Sequence, residues 1–268
     1  VRMRGLEPTE SDPRFQQQRV YAIAMRTLEN FDRALGRRIR FRKRRNGNRL
    51  RLFPHAFHGA NAFFDPKLNA ILFGYFCADQ KNPGPNLPGQ IVFTCLSHDI
   101  IVHEFTHAVV YRLRKYFIEP TNPDVLAFHE GFADIVALFQ HFTFQDYLTQ
   151  EIQKTRTDIR TGRKLVEIAQ QFGYATGTNQ ALRSAITINN DNSPKRLSPD
   201  ILEVHERGSI LVAAVFDAFF NTYKNRIQDL LRIASSGTGI LPAGDMHPDL
   251  VNRVAKEASR TAQAVLNM

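Results

Sequence analysis

Tryptophan is absent from the 268 residues, and cysteine occurs only twice, at Cys77 and Cys95. Two cysteines are too few for a scaffold held by disulfides, and neither lies in a zinc-binding spacing, so we expect a reduced, buried pair without a catalytic role. Long apolar runs are missing too. The best, at residues 210–220, is far shorter than the roughly 20 residues of a membrane-spanning helix and contains Asp217. These absences predict a soluble chain stabilised by packing.

Positive charge is concentrated in one short segment. The formal net charge is +9, and nine basic residues lie between Arg37 and Arg51. Basic and apolar residues alternate on both sides of Asn46 and Gly47, which is typical of a β-hairpin. The face expected to pack inward consists of Ile39, Phe41, Leu50 and Leu52. The arginine face either is a solvated surface that protects an edge strand, or binds phosphate, anionic lipid or an acidic substrate.

Hydrophobic spacing divides the chain near residue 98. Before it, a helix over residues 14–35 precedes short apolar runs that predict an antiparallel sheet, at 61–65, 70–77 and 91–95. After it the pattern is helical, at 99–116, 124–144, 147–172, 204–223, 225–234 and 248–266. We therefore predict an α+β fold, with a helix and a β-sheet lobe over residues 1–97 and a mainly helical lobe over residues 98–268.

The first helix of the second half contains the HExxH pattern, from His103 to His107. Residues four apart lie on one helical face, so both imidazoles can bind one zinc ion, and Glu104 can reach water held by that metal. As a bare pattern it is a modest signal, because on the order of one chain in a hundred of this length contains it by chance.

A catalytic zinc ion requires a third protein ligand. The metzincin continuation is excluded, because Val110 and Leu113 occupy the positions of its glycine and histidine. The next predicted helix is apolar except for a few residues, among them Glu130 and Asp134, which share a face. Acids on a buried face need partners: zinc would satisfy Glu130, and the free ring nitrogen of a ligating histidine would satisfy Asp134. The alternative is a solvated acidic face.

Four blocks in this order resemble the thermolysin-like gluzincin peptidases. NAFFD at 61–65 is similar to the family's NAFWD edge strand, and DIIVHEFTHAV at 99–109 is similar to its HELTH helix. EGFAD at 130–134 matches its ExxxD block, and DILEVH at 200–205 resembles the segment that carries its transition-state histidine. The resemblance spans roughly residues 60–220. It implies a zincin-type catalytic domain, in which the two lobes form one catalytic unit with the active-site cleft between them.

The resemblance also implies one zinc ion per chain and roles for the residues around it. His103, His107 and Glu130 would bind the metal, and Asp134 would orient a ligating histidine. Glu104 would act as general base for metal-activated water, which hydrolyses an internal peptide bond.

Further roles follow from the same resemblance. His205, held by Asp200, would donate a hydrogen bond to the developing oxyanion. Asn61 and Ala62 would align the substrate backbone along an edge strand. Arg183 lies in ALRS, which resembles the family's LRS, and would bind a substrate carbonyl.

The calcium site of the family is not reproduced. Its dense acidic cluster follows the third zinc ligand, whereas here Asp146 and Glu151 are nearly all that remain. We therefore expect no structural calcium pair, and we expect Asp99 to cap its helix instead.

Two further positions depart from the family. His129 replaces an asparagine, and it either orients His107 or faces solvent. No tyrosine aligns with the family's second oxyanion donor, for which Tyr111 and Tyr116 are only candidates.

Together these features predict a zinc metallopeptidase that acts on a peptide or protein. An endopeptidase is favoured over an aminopeptidase, because no acidic motif is available to hold a free amino terminus. One alternative is a zinc-retaining binding protein with weak or lost activity, and another is a binder of nucleic acid or anionic surfaces through the 37–51 segment. No signal-peptide core follows residues 1–5, although a start at valine leaves open that an upstream segment was removed, so the compartment stays open, as does the oligomeric state.

Overall fold

The computed structural model describes residues 5–41, 49–83, 86–161 and 196–268, together with the backbone of residues 167–168 and 183–184. The described helices are α1 (Pro13–Ala34), α2 (His98–Leu113), α3 (Pro123–His141), α4 (Gln145–Thr155), α5 (Val204–Ala234) and α6 (Pro248–Leu266). The described strands are β1 (Arg51–His58), β2 (Ala62–Asp65), β3 (Ala70–Cys77), β4 (Ile91–Phe93), β5 (Glu167–Ile168) and β6 (Arg183–Ser184). This arrangement confirms the predicted α+β class.

Capping residues set the starts of three helices. Asp12, Asn122 and His247 are each followed directly by proline, and the side chain of each accepts a hydrogen bond from a backbone N–H of the first turn. Proline at the first helical position forfeits no hydrogen bond, because the N–H there has no partner within the helix. These local signals place α1, α3 and α6 within a residue of the predicted starts.

The main sheet is built around β3. β1 pairs with it in parallel, and β2 and β4 pair with it antiparallel. The prediction of a purely antiparallel sheet was therefore wrong, because β2 intervenes between β1 and β3 and reverses the chain. The crossing from β1 to β2 passes directly over Gly74, where a Cβ atom would lie 2.2 Å from the carbonyl oxygen of Gly59. Only glycine accommodates this close approach. Gly74 therefore allows the chain that leaves β1 to cross over β3 and reach Asn61.

The 37–51 segment differs from the predicted hairpin. Its apolar residues contact the core beneath the sheet, as expected: Ile39, Phe41, Leu50 and Leu52. Residues 37–41 form no strand, and β1 begins only at Arg51. The predicted turn at Asn46 and Gly47 lies outside the described residues. Arg112 of α2 donates to the carbonyl oxygen of Arg40 at 2.6 Å, which ties this segment to α2.

α2 is buried on two sides. One side, with Ile101 and Phe105, packs against α1 and the sheet, and the other, with Val102, packs against α3. A helix enclosed in this way holds its side chains rigidly, because neighbours on both sides fix their rotamers. The HExxH motif therefore lies on a well-fixed element.

A second core joins α3, α4, α5 and α6 through an aromatic cluster: Phe139, Phe142, Phe216, Phe219 and Tyr223. α5 is one helix of 31 residues where two were predicted, because no glycine or proline occurs between Ser209 and Ser236 to break it. α4 ends at Thr155, earlier than predicted, where Arg156 adopts a left-handed conformation with φ of 50°. Within the described residues no helix combines the length and apolarity needed to cross a bilayer. Both cysteines are free thiols, as predicted, but only Cys95 is buried. The prediction of a buried pair was wrong for Cys77, which is exposed at the end of β3.

Candidate metal centre

α2 and α3 bring His103, His107 and Glu130 to one point. The Nε2 atoms of the two histidines lie 2.9 Å apart. The Glu130 carboxylate oxygens lie 3.1 Å from His103 Nε2 and 3.5 Å from His107 Nε2. Two ligands of a tetrahedral zinc ion, each about 2.1 Å from the metal, are about 3.4 Å apart. The three side chains predicted as ligands therefore stand close to the spacing that one ion requires.

Partners on the far side of each imidazole fix which nitrogen carries the proton. Asp134 Oδ1 lies 2.7 Å from His103 Nδ1, and because an ionised carboxylate only accepts, His103 Nδ1 is the donor. His107 Nδ1 lies 2.6 Å from His129 Nδ1. Burial lowers the pKa of His129, which favours its neutral form, and neutral His129 can accept from His107. Both Nε2 atoms then present lone pairs toward Glu130.

The two Nε2 atoms and the Glu130 carboxylate together favour a bound cation. Glu130 Oε2 is buried, and it makes no hydrogen bond with acceptable geometry to any described residue. Burial alone would raise the pKa of Glu130, but hydrogen bonds and positive charge from the neighbouring histidines, when these are protonated, hold it well below its ordinary value; a bound cation would take the place of those protons. Two imidazole lone pairs facing a buried carboxylate repel one another unless a positive ion lies between them. Nitrogen and carboxylate donors in this number suit zinc.

Glu104 lies on the same face of α2 and is buried, with 8% of its surface exposed. Its Oε2 accepts a hydrogen bond of 3.1 Å from the backbone N–H of Phe64 in β2. This hydrogen bond therefore joins the NAFFD and HExxH motifs, which lie on either side of residue 98 in the sequence. The carboxylate is oriented by a strand of the sheet as well as by its own helix.

β2 presents an open edge beside these residues. Among the described residues it pairs only with β3, and Phe64 directs its N–H away from β3 toward α2. Asn61 and Ala62 line the same cavity as the histidines, and Asn61 Oδ1 accepts from Ala62 N–H at 2.9 Å. Two of the three predicted substrate-binding residues, Asn61 and Ala62, are thus beside the candidate metal centre.

His205 reaches the site because α3 and α5 approach closely at two glycines. A Cβ atom on Gly131 would lie 2.7 Å from the carbonyl oxygen of Gly208, and one on Gly208 would lie 2.7 Å from that of Ala127. This contact places His205 Nε2 3.3 Å from Glu130 Oε2. The position of His205 therefore depends on the lack of a side chain at Gly131 and Gly208, as well as on the residues next to it in the sequence.

Glu203, not Asp200, contacts His205. Glu203 Oε1 lies 2.7 Å from His205 Nδ1, and although burial acts to raise the pKa of Glu203, this bond keeps it below its usual range. Asp200 instead accepts from Ser198 Oγ at 3.0 Å. The physical reason is that Glu203 is the N-cap of α5 and also accepts from Glu206 N–H, which fixes it next to His205. An acid directly before a predicted helix start was the signal that sequence reasoning missed.

Arg207 is a second residue that sequence reasoning did not identify. Only 11% of its side chain is exposed, and it contacts Asp124 of α3 at 2.6 Å. It also donates to the carbonyl oxygens of Ser198 and Ile201, both at 3.0 Å. It therefore ties the segment before α5 to the start of α3.

The remaining sequence predictions concern Asp99, Arg183 and the two candidate tyrosines. Asp99 does not cap α2: the N-cap is Ser97, and Asp99 Oδ1 lies 2.7 Å from His141 Nε2, because a nearby imidazole offers a stronger partner than a backbone N–H. The side chain of Arg183 lies outside the described residues. Tyr111 packs on Phe64, Tyr116 is exposed, and neither lines the cavity.

All these groups surround a cavity of about 860 Å³. Its described walls come from β2, α2, α3 and the start of α5. Comparison of the chain with protein-family models, with curated proteins and with solved structures gave no match. The resemblance to gluzincins stays a prediction, and the functional interpretation rests on this geometry.

Proposed function

We propose that this protein is a zinc metallopeptidase of the gluzincin type that cleaves internal peptide bonds. The observation that carries the proposal is the convergence of His103 Nε2, His107 Nε2 and the Glu130 carboxylate within 3.5 Å of one another, with Glu104 beside them. In this proposal the sheet and the helices are the two lobes of a zincin-type catalytic domain, and the cavity between β2 and α3 is its cleft.

Each histidine ligand has a supporting group that favours metal binding. Asp134 holds His103, and His129 holds His107, so both imidazoles are fixed with Nε2 available. When bound, zinc supplies a Lewis acid that polarises a carbonyl oxygen and lowers the pKa of water. Such supporting groups typically change metal affinity or activity by about 10-fold to 100-fold.

Glu104 is placed to move the proton. Its carboxylate lies on the ligand face of α2 at the cavity wall, and the Phe64 N–H holds one of its oxygens. In hydrolysis it takes the proton of the attacking water and delivers it to the departing amine. A base fixed in this way needs little reorganisation during the reaction.

The substrate would bind along β2. An extended peptide can add to the open edge of this strand, where Asn61 and Ala62 provide polar groups next to the catalytic residues. His205, held through Nδ1 by Glu203, presents Nε2 to the cavity and, when protonated there, donates to the developing oxyanion. Strand addition does not need a free terminus, which supports an endopeptidase.

The test is Glu104→Gln, which preserves shape and removes the base. We expect unchanged zinc content and a fall in casein hydrolysis of at least about 100-fold. Glu29→Gln, on the exposed face of α1, is the matched control and should behave as wild type. Cleavage by wild type should stop with 1,10-phenanthroline and return with added zinc. A Glu104→Gln protein that cleaves casein at the wild-type rate would sink the proposal.

One observation favours a second candidate, a zinc-retaining binding protein. No tyrosine among the described residues lines the cavity, so the described site offers His205 alone in the role of oxyanion donor. Zinc in both the wild type and Glu104→Gln, with no cleavage by either across a panel of unfolded proteins, would identify this candidate.

A further inference from the structure

A second cluster of potential ligands lies at the other end of the α2–α3 contact. His98 and Asp99 begin α2, and His141 ends α3. Asp99 Oδ1 lies 2.7 Å from His141 Nε2 and 3.5 Å from His98 Nδ1. Only 12%, 10% and 17% of the side chains of His98, Asp99 and His141 are exposed. The group shares no ligand with the HExxH centre, which is one helical turn, about 6 Å, further along α2.

The hydrogen bonds behind His98 decide where its proton lies. Thr27 has one hydroxyl proton but two acceptors within reach, the Ile23 carbonyl at 2.9 Å and the Gln140 amide at 3.1 Å. Gln140 Oε1 also accepts from Asn30 Nδ2 at 3.2 Å, so its amide oxygen points toward Thr27 and Asn30. The amide nitrogen of Gln140 then faces His98 Nε2, 3.3 Å away, so neutral His98 accepts at Nε2 and carries its proton on Nδ1.

His98 turns its Nδ1 atom toward the Asp99 carboxylate. Its Nδ1 is buried and has no hydrogen-bond partner among the described residues. At 3.5 Å from Asp99 Oδ1 this nitrogen makes no well-formed hydrogen bond, and a cation between the two atoms would satisfy both once Nδ1 loses its proton.

We propose that His98 Nδ1, Asp99 Oδ1 and His141 Nε2 form a second metal site, specific for zinc or a similar divalent transition metal. Two of the three donors are imidazoles, which favour zinc over the oxygen-seeking calcium and magnesium ions. Metal binding displaces the protons on His141 Nε2 and His98 Nδ1, so proton release accompanies metal binding.

The site has an open side. A cavity of about 530 Å³ borders both histidines and is lined also by Arg19, Phe144 and Tyr147. It provides an entry path and room for water as a fourth ligand. A metal here would connect the start of α2 to the end of α3, the two helices that hold the HExxH centre, so its role is to stabilise that frame.

The experiment is zinc stoichiometry on the full chain, stripped with chelator, reloaded with zinc, dialysed and measured by elemental analysis. Wild type should hold two equivalents. His141→Gln and His107→Gln should each hold one, because they remove different sites. His58→Gln, an exposed histidine of β1, is the control and should hold two. Circular dichroism checks folding, and cobalt absorption of wild type against His98→Gln gives a readout that does not depend on the His107 variant.

The outcomes separate this site from the proposed enzyme. One equivalent in wild type and still one in His141→Gln overturns the second site and leaves the HExxH centre intact. One equivalent in wild type, one in His107→Gln and none in His141→Gln supports the second site and overturns the proposed function. Identical cobalt spectra for wild type and His98→Gln also overturn the second site.

Discussion

His107 and His129 face each other through their Nδ1 atoms, which are 2.6 Å apart. His129 is buried, with 5% of its surface exposed, so its role is to orient His107 and not to face solvent. A histidine can do this only in its neutral form, which its burial favours by lowering the pKa.

We therefore expect His129→Phe to weaken zinc binding by about 10-fold to 100-fold, because it removes the acceptor for His107 Nδ1–H. His129→Asn restores an acceptor on a shorter side chain and should lose less. Competition with a chromophoric chelator measures both affinities. Equal affinities for wild type and His129→Phe would show that His107 is oriented without His129.

The contact of Glu203 with His205 leads to a second prediction. Glu203→Gln should lower kcat/KM by about 10-fold or more with little change in KM, since His205 would lose the charge that supports its protonated form. Asp200→Asn is the matched control and should retain wild-type kinetics, because Asp200 contacts Ser198. Wild-type kinetics for Glu203→Gln together with a lower kcat/KM for Asp200→Asn would instead support the prediction from the sequence that Asp200 holds His205.

The candidate metal ligands could be predicted from the sequence because their spacing is local. His103 and His107 share a helical face whatever the tertiary structure, and the same holds for Glu130 and Asp134. Contacts between separate elements are different. Glu203 could not be distinguished from Asp200, because the exact start of α5 decides which acid meets His205.

The pairing of the strands in the sheet likewise could not be predicted from the sequence. Alternation identified the strands, but a run of alternating residues has the same pattern in parallel and antiparallel pairing. The parallel pairing of β1 with β3 depends on the crossing over Gly74, a close contact that only the folded chain displays. Proton positions around Gln140 likewise depend on residues more than a hundred positions apart in the sequence.

The close approach of α3 and α5 gives a third prediction. Gly208→Ala introduces a Cβ atom 2.7 Å from the Ala127 carbonyl oxygen, a rigid backbone atom, so the helices must separate. We expect a loss of stability of about 1–3 kcal/mol, seen in denaturant unfolding, despite the better helix propensity of alanine. Ala214→Ser, at an exposed position of α5, should change stability little. Catalysis should fall more than stability explains, because His205 moves away from Glu130.

Arg207 gives the last prediction, with a readout that does not depend on activity. Its guanidinium binds two carbonyl oxygens before α5 and Asp124 of α3 at the same time, a fork that the single ammonium group of lysine cannot reproduce. Arg207→Lys should therefore speed limited proteolysis near residues 198–203 and, because Glu203 belongs to this segment, lower kcat/KM by about 10-fold. Asp124→Asn should have a smaller effect on both, since the Asp124 side chain is 68% exposed and exposed ion pairs contribute at most about 1 kcal/mol. Proteolysis of Arg207→Lys at the wild-type rate would mean that other contacts hold this segment, and that Glu203 reaches His205 through its helix cap alone.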